Sequence, residues 1–312
     1  MHNTQMISIV VPLYNEADSL EELYSEISKA LSGYKFEVIF SDDGSTDGSW
    51  DVIQRLSQNH KHVKGIRLQR NYGKSTAMQA GFEATTGVYV VTMDADLQDD
   101  PNEIPDMIDM LDGGLDMVSG WKKVRHDPLS KTIPSRFFNA VTRWVTGIKL
   151  HDFNCGLKAY NKEVIDSIYL YGEMHRYVPL LAKREGFSQI GEKVVTHHPR
   201  KFGKTKFGLS RFMNGFLDLL TLLFMNHYMQ RPMHLFGTLG VIMLFAGTVI
   251  NLYLAYIKIM LDQPLANRPL LFLGILLLML GVQFFSIGFL GELINRGQVK
   301  HEQPNIREKI GI

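Results

Sequence analysis

Two stretches of the chain carry no charge at all: Leu235 to Ile257, and Leu270 to Gly291, where Gln283 and Ser286 are the most polar members. Each exceeds the roughly 18–20 apolar residues that an α-helix needs to cross a hydrocarbon layer. A helix in a soluble core normally keeps one polar face, and neither stretch has one. Both are therefore expected to span a membrane. The short connection between them holds Asp262, Pro264 and Pro269, which makes the pair an antiparallel hairpin. Lys258 and Arg268 flank that connection. Lys204, Lys206, Arg211 and Arg231 precede the first stretch, and Arg296, Lys300, Arg307 and Lys309 follow the second. The heavier positive charge on the outer side predicts that this side is cytoplasmic.

The residues before about position 230 read as a mixed soluble domain. A net charge of +1 argues against a protein held to nucleic acid by bulk electrostatics. Cys155 is the one cysteine, so there is neither an intrachain disulfide nor a zinc-knuckle spacing. The polar start, Met1 to Met6, lacks the apolar core of an export signal.

Strand and helix patterns alternate through this domain. Apolar runs at Ile7–Pro12, Phe36–Phe40, Val63–Leu68 and Val88–Met93 read as buried strands. Ser19 with Glu22 forms a capping-box pattern for a helix ending near Gly33, Asp47 precedes a helix over Gly48–Asn59, and another helix covers Lys74–Thr85. Such alternation predicts an α/β fold with a mostly parallel sheet flanked by helices. Ligands bind at the carboxyl ends of the strands in these sheets. Three acidic groups fall there: Asn15-Glu16, Asp42-Asp43 and Asp94-Ala95-Asp96.

The last group is the most informative. Carboxylates at i and i+2 of an extended segment face the same way and can hold a hard divalent cation against a diphosphate; Gln98 repeats the spacing. Alone, such a pair is usually a solvated turn. Asn71-Tyr72-Gly73-Lys74-Ser75-Thr76 has a phosphate-loop look, but Leu68 stands where that motif needs glycine. Lys74 at a helix start can still meet a phosphate.

VVPLYNE (Val10–Glu16), SDDGSTDGSW (Ser41–Trp50), NYGKSTAMQAGF (Asn71–Phe82) and VVTMDADLQDDPNEIP (Val90–Pro105) together resemble family-two inverting glycosyltransferases. The branch they look most like is the polyprenyl-phosphate glycosyltransferases, dolichyl-phosphate mannose synthases and bactoprenol glucosyltransferases among them. The resemblance implies a GT-A fold, a nucleotide-sugar donor, a polyprenyl phosphate acceptor and Mg2+ or Mn2+. Homo-oligomers occur among similar proteins. It places Pro12, Tyr14 and Glu16 along the nucleoside, Asp43 or Asp42 at the base, and Asp94 beside the nucleotide-sugar, with Lys74 also on the donor. Asp96 and Gln98 would hold the metal. His151 to Lys158 resembles a D-x-x-x-G-x-R stretch near sugar and acceptor, with Asp152 as its acid and Lys158 where arginine is usual. Phe202 to Phe207 resembles a closing loop that carries Lys206.

The acceptor phosphate needs cations rather than a base, and Lys122, Lys123, Arg125 and Arg136 are the candidates, a solvated basic face being the alternative. The expected organisation is a catalytic domain over 1–208, an amphipathic interfacial helix over 209–231, two spanning helices over 232–295 and a tail over 296–312. UDP-glucose is the first expectation for the donor, with GDP-mannose, UDP-GlcNAc and UDP-aminoarabinose open. A processive polysaccharide synthase would carry Q-x-x-R-W, yet Ala140 precedes Arg143-Trp144 where glutamine belongs. A non-catalytic scaffold would not need the intact acids.

Overall fold

The structure, a computed structural model, describes residues 5–123, 139–199, 232–262, 264, 269–296 and 304–312. It divides into two compact units, Met1–Phe216 with Gln303–Ile312, and Leu217–Glu302.

The first unit contains strands β1 (Met6–Leu13), β2 (Lys35–Asp42), β3 (Val63–Leu68), β4 (Tyr89–Thr92), β5 (Met117–Trp121), β6 (Lys158–Asn161), β7 (Ile190–Val194) and β8 (Ile306–Ile310). They form one sheet in the order β7-β5-β6-β4-β1-β2-β3-β8. β1 runs parallel to both β2 and β4, and β2 is parallel to β3. β6 is antiparallel between β4 and β5, while β7 returns parallel to β5. Ile9, Val10, Val11, Val38, Ile39, Phe40, Val90 and Val91 are fully buried. Consecutive rather than alternate positions are apolar because helices cover both faces of the parallel strands. Each such Ile, Val or Phe contributes about 1.5–3 kcal/mol by leaving water.

Four helices connect the early strands: α1 (Leu20–Ala30), α2 (Ser49–Asn59), α3 (Lys74–Glu83) and α4 (Ile104–Asp112). α1 turns Leu20, Leu23, Tyr24 and Ile27 inward, and α2 turns Trp50, Ile53 and Leu56 inward, at helical spacing. α3 is buried along most of its length, and Gly81 makes that approach possible. A Cβ at Gly81 would stand 2.4 Å from Val10 Cγ1. Further on lie α5 (Lys162–Ser167) and α6 (Val178–Arg184).

These first four strands and three helices follow the sequence expectation, with ends shifted by at most three residues. The capping box differs: Ser19 Oγ donates to Glu16 O at 2.9 Å, so it does not cap α1. Asp47 does hold the start of α2, accepting from Ser49 N at 3.0 Å. The residues after the hairpin, expected as a tail, contain β8, which pairs antiparallel with β3 and closes that edge of the sheet.

The second unit holds α7 (Pro232–Met260) and α8 (Pro269–Arg296), both long and apolar enough to cross a membrane. They pack as an antiparallel pair through glycine. A Cβ on Gly240 would lie 2.8 Å from Gly281 O, one on Gly247 2.9 Å from Gly274 O, and one on Gly288 3.0 Å from Gly237 N. Phe245, Tyr253, Phe272 and Met279 point outward, a surface suited to lipid rather than water.

Arg125, Arg136, Lys206 and the expected segment 209–231 lie outside the described residues. Residues 139–146 are helical.

Candidate active site

The carboxyl ends of β1, β2 and β4 open onto one cavity of about 400 Å3, lined by Pro12, Tyr14, Glu16, Asp43, Asn71, Lys74, Asp94 and Asp96. Residues from four separate sequence blocks thus meet because parallel strands all end on the same rim.

Asp43 fixes one wall. Its Oδ1 accepts from Tyr72 N at 2.7 Å and its Oδ2 from Gly73 N at 2.9 Å, which holds the loop leading into α3. Gly73 sits at φ 99, a conformation that side chains disfavour. Burial pushes the Asp43 carboxyl upward despite those two donors, and neighbouring Asp42 adds to the rise. Asp42 is fully buried behind this wall, accepting from Ser45 N at 2.8 Å, with Arg67 Nε 3.6 Å from its other oxygen. Of the two acids open as candidates for the base, Asp43 lines the cavity and Asp42 does not.

Asp94 leaves the end of β4 and takes a hydrogen bond from Lys74 Nζ at 2.5 Å. Burial alone would raise its pKa, but the ammonium groups of Lys74, then Lys122 and Lys158, outweigh it and hold the carboxyl at about 2. Gly156 supplies the space: a Cβ there would stand 2.6 Å from the Asp94 carboxylate. Asp96 Oδ1 accepts from Gln98 N at 3.2 Å, across Leu97 at φ 58. Gln98 Nε2 donates to His198 O at 3.4 Å.

Among the described residues, no cluster of three or more His, Cys, Asp or Glu could hold a metal. Asp94 is paired with Lys74, and Asp96, two residues on, also lines the cavity and is placed to offer oxygen from its wall. A hard cation there fits if most of its oxygens come from a phosphate ligand and water, which is usual for Mg2+.

The candidate cations diverge. Lys122 Nζ lies 2.7 Å from the buried carboxylate of Asp99, which raises its pKa against the opposing effect of burial. Lys123 Nζ sits 5.7 Å from the ring centre of Trp121, itself stacked on His151 at 4.1 Å. Lys158 is buried and donates to Cys155 O; burial lowers its pKa, and Lys74 lowers it further. Asp152 is also buried, with its Oδ1 accepting from Asn154 N at 3.1 Å. Lys122, Lys123, Asp152 and Lys158 are not among the residues that line the cavity.

Sequence reading missed the pair formed by Ser75 and His175. His175 N donates to Ser75 Oγ at 2.9 Å, and His175 Nδ1 lies 3.0 Å from the same oxygen. Burial first, then Lys74 and Arg176, pushes the imidazole down to about 3, so it is neutral at neutral pH. No local pattern marks it, since its partner is 100 residues away.

A mostly parallel sheet with an acidic pair at the end of β4 and a lysine at the start of α3 defines a glycosyltransferase of the GT-A type. Residues 8–169 match the family described as glycosyl transferase family 2, and the chain belongs to it. A dodecaprenyl-phosphate galacturonate synthase from Rhizobium johnstonii is 40% identical over 306 residues, spanning 96% of this chain and 90% of that protein. Glucosyl-3-phosphoglycerate synthase from Mycobacterium tuberculosis, in complex with Mn2+, UDP and glucosyl-3-phosphoglycerate, superposes with a TM-score of 0.54 at 21% identity, covering 71% of this chain and 80% of that one. Mannosyl-3-phosphoglycerate synthase from Rubrobacter xylanophilus gives 0.56 at 17% identity, covering 70% and 74%. These two likenesses establish the fold.

Proposed function

We propose that this enzyme transfers a hexuronic acid from a UDP-sugar to polyprenyl phosphate, with inversion, at the cytoplasmic face of a membrane. The observation that carries the transfer is the cavity on which Asp43, Lys74, Asp94 and Asp96 converge. Tyr14, Glu16 and Asp43 take the nucleoside, and Asp94 with Lys74 faces the sugar. Asp96, with Gln98 beside it, would hold a divalent cation, which would supply charge neutralisation to the departing diphosphate.

One fact favours a uronate over the UDP-glucose expected from sequence: the relative from Rhizobium johnstonii is named for galacturonate. The reaction needs no base in this chain. An oxygen of the acceptor phosphate, already anionic, forms a bond to the anomeric carbon as the bond from that carbon to the diphosphate oxygen breaks, and UDP leaves. The apolar hairpin keeps the enzyme where a lipid acceptor resides.

The test is incubation of membranes containing the enzyme with polyprenyl phosphate and radiolabelled UDP-galacturonate, UDP-glucose or GDP-mannose, followed by lipid extraction. Label should enter the lipid from UDP-galacturonate in preference to the neutral sugars. Equal or greater labelling from UDP-glucose would overturn the uronate assignment. No lipid labelling from any donor would overturn the acceptor.

A further inference from the structure

β8 is connected to the nucleoside side of the cavity by an unbroken series of contacts. Glu308 stands opposite Arg67 in the antiparallel register of β8 and β3. Its Oε2 accepts from Trp50 Nε1 at 2.8 Å, and its Oε1 accepts from Gln54 Nε2 at 3.1 Å. Both donors belong to α2, so one carboxylate from β8 fixes the orientation of a buried indole. The indole has little freedom otherwise, because it lies against Gly65 of β3, where a Cβ would be 3.2 Å away.

The Arg67 guanidinium lies 5.8 Å from the centre of the Trp50 ring. Arg67 Nη2 donates to Ser45 O at 3.2 Å, and Arg67 Nε is 3.6 Å from Asp42 Oδ2. Asp42 Oδ1 in turn accepts from Ser45 N. Ser45 Oγ accepts from Asn15 N at 2.8 Å, and Asn15 Oδ1 accepts from Thr46 N at 2.9 Å. Asn15 holds a left-handed φ of 57 between Tyr14 and Glu16, both on the cavity wall. A left-handed asparagine is costly unless its surroundings impose it, and these hydrogen bonds do so.

We propose that Glu308 is a positioning residue for the donor. Through Trp50 and Arg67 it sets the loops that carry Tyr14, Glu16 and Asp43, and so sets affinity for the uridine nucleotide. The inference rests on the reading of this cavity as a nucleotide-sugar site. A plain edge strand would cover β3 and stabilise the sheet, yet its side chains would leave ligand affinity untouched. The carboxylate of Glu308 does more, because it accepts hydrogen bonds that orient a side chain packed beside the arginine of Asp42.

The experiment compares full-length wild type with Glu308→Ala, Glu308→Gln and Trp50→Phe. Arg307→Ala serves as the control, an exposed position on the same strand. UDP affinity is measured by calorimetry, and donor KM, acceptor KM and kcat by transfer assays. Glu308→Ala and Trp50→Phe should each weaken UDP binding and raise donor KM by roughly tenfold, the size expected from losing a hydrogen bond to a charged group. Acceptor KM should hold. Glu308→Gln keeps an acceptor oxygen for the indole and should recover most of the affinity, and Arg307→Ala should match wild type. A lower melting temperature in Glu308→Ala with unchanged UDP affinity would overturn the proposal and leave β8 a structural strand. Equal losses in Glu308→Ala and Arg307→Ala would overturn it as well. Absence of UDP binding by wild type would instead overturn the underlying assignment of the cavity.

Discussion

Gly156 sits where the sheet's chemistry and its packing meet. Its backbone is not left-handed, so alanine is conformationally tolerable there. The added methyl would nevertheless stand 2.6 Å from the Asp94 carboxylate and displace it from Lys74. Gly156→Ala should therefore retain its circular dichroism and thermal transition while transfer falls by about 100-fold or more, the usual scale for losing a fixed charge partner. Turnover and melting curves on the same preparation check this. His175 gives a second expectation, in pH. Its imidazole is held near 3 in the folded protein, against an ordinary value of 6.5. The unfolded chain thus binds a proton that the folded chain refuses, and the wild type loses stability as pH falls from about 6.5 toward 3. His175→Gln removes that loss, so chemical-denaturation midpoints of the two proteins should converge as the pH is lowered through this window. Parallel curves would mean that the ring is not held neutral.

At the scale of elements, strands β1 to β4 and their helices could be read from the chain because each is signalled locally. A buried parallel strand is a short apolar run, and its helix carries a 3.6-residue stripe. The acidic rim followed from topology alone. β8 could not be read this way. IREKI is charged and short, and its partner β3 lies some 240 positions earlier in the chain. The role of Lys158 was open for a similar reason: its burial depends on β6 being inserted between β4 and β5. The hairpin was legible from hydropathy, but its packing is a matter of glycine placement. In lipid, apolar helices gain little from hiding apolar surface and associate through close contact. Gly281→Leu would force its side chain into Leu244 and the Gly240 carbonyl. The expected result is a lower melting temperature in detergent with UDP binding preserved. An unchanged transition would mean that α7 and α8 are not held together at this point.

Considered as a whole molecule, the apolar unit is inserted into the catalytic unit's sequence, since the chain re-enters the first unit at Gln303. Cutting after Arg231 removes β8 as well as the hairpin, so such a truncation confounds anchoring with completion of the sheet. The informative variant replaces residues 232–296 with a flexible linker and keeps β8. It should bind UDP as the full-length protein does. Transfer to long-chain polyprenyl phosphate in membranes should collapse, whereas transfer to a short, soluble prenyl phosphate should fall less, because encounter no longer depends on a shared bilayer. Comparable loss on both acceptors would make the hairpin part of the reacting site.

The same insertion imposes an order on biosynthesis. A ribosome makes strands β1 to β7 first, then the two apolar helices, and only afterwards the segment holding Glu308. A nascent chain that has not yet delivered its hairpin is also a chain without its final strand. If Glu308 tunes donor affinity, nucleotide-sugar is bound less tightly until the apolar helices have emerged, and translation itself slows donor use by the intermediate that lacks them.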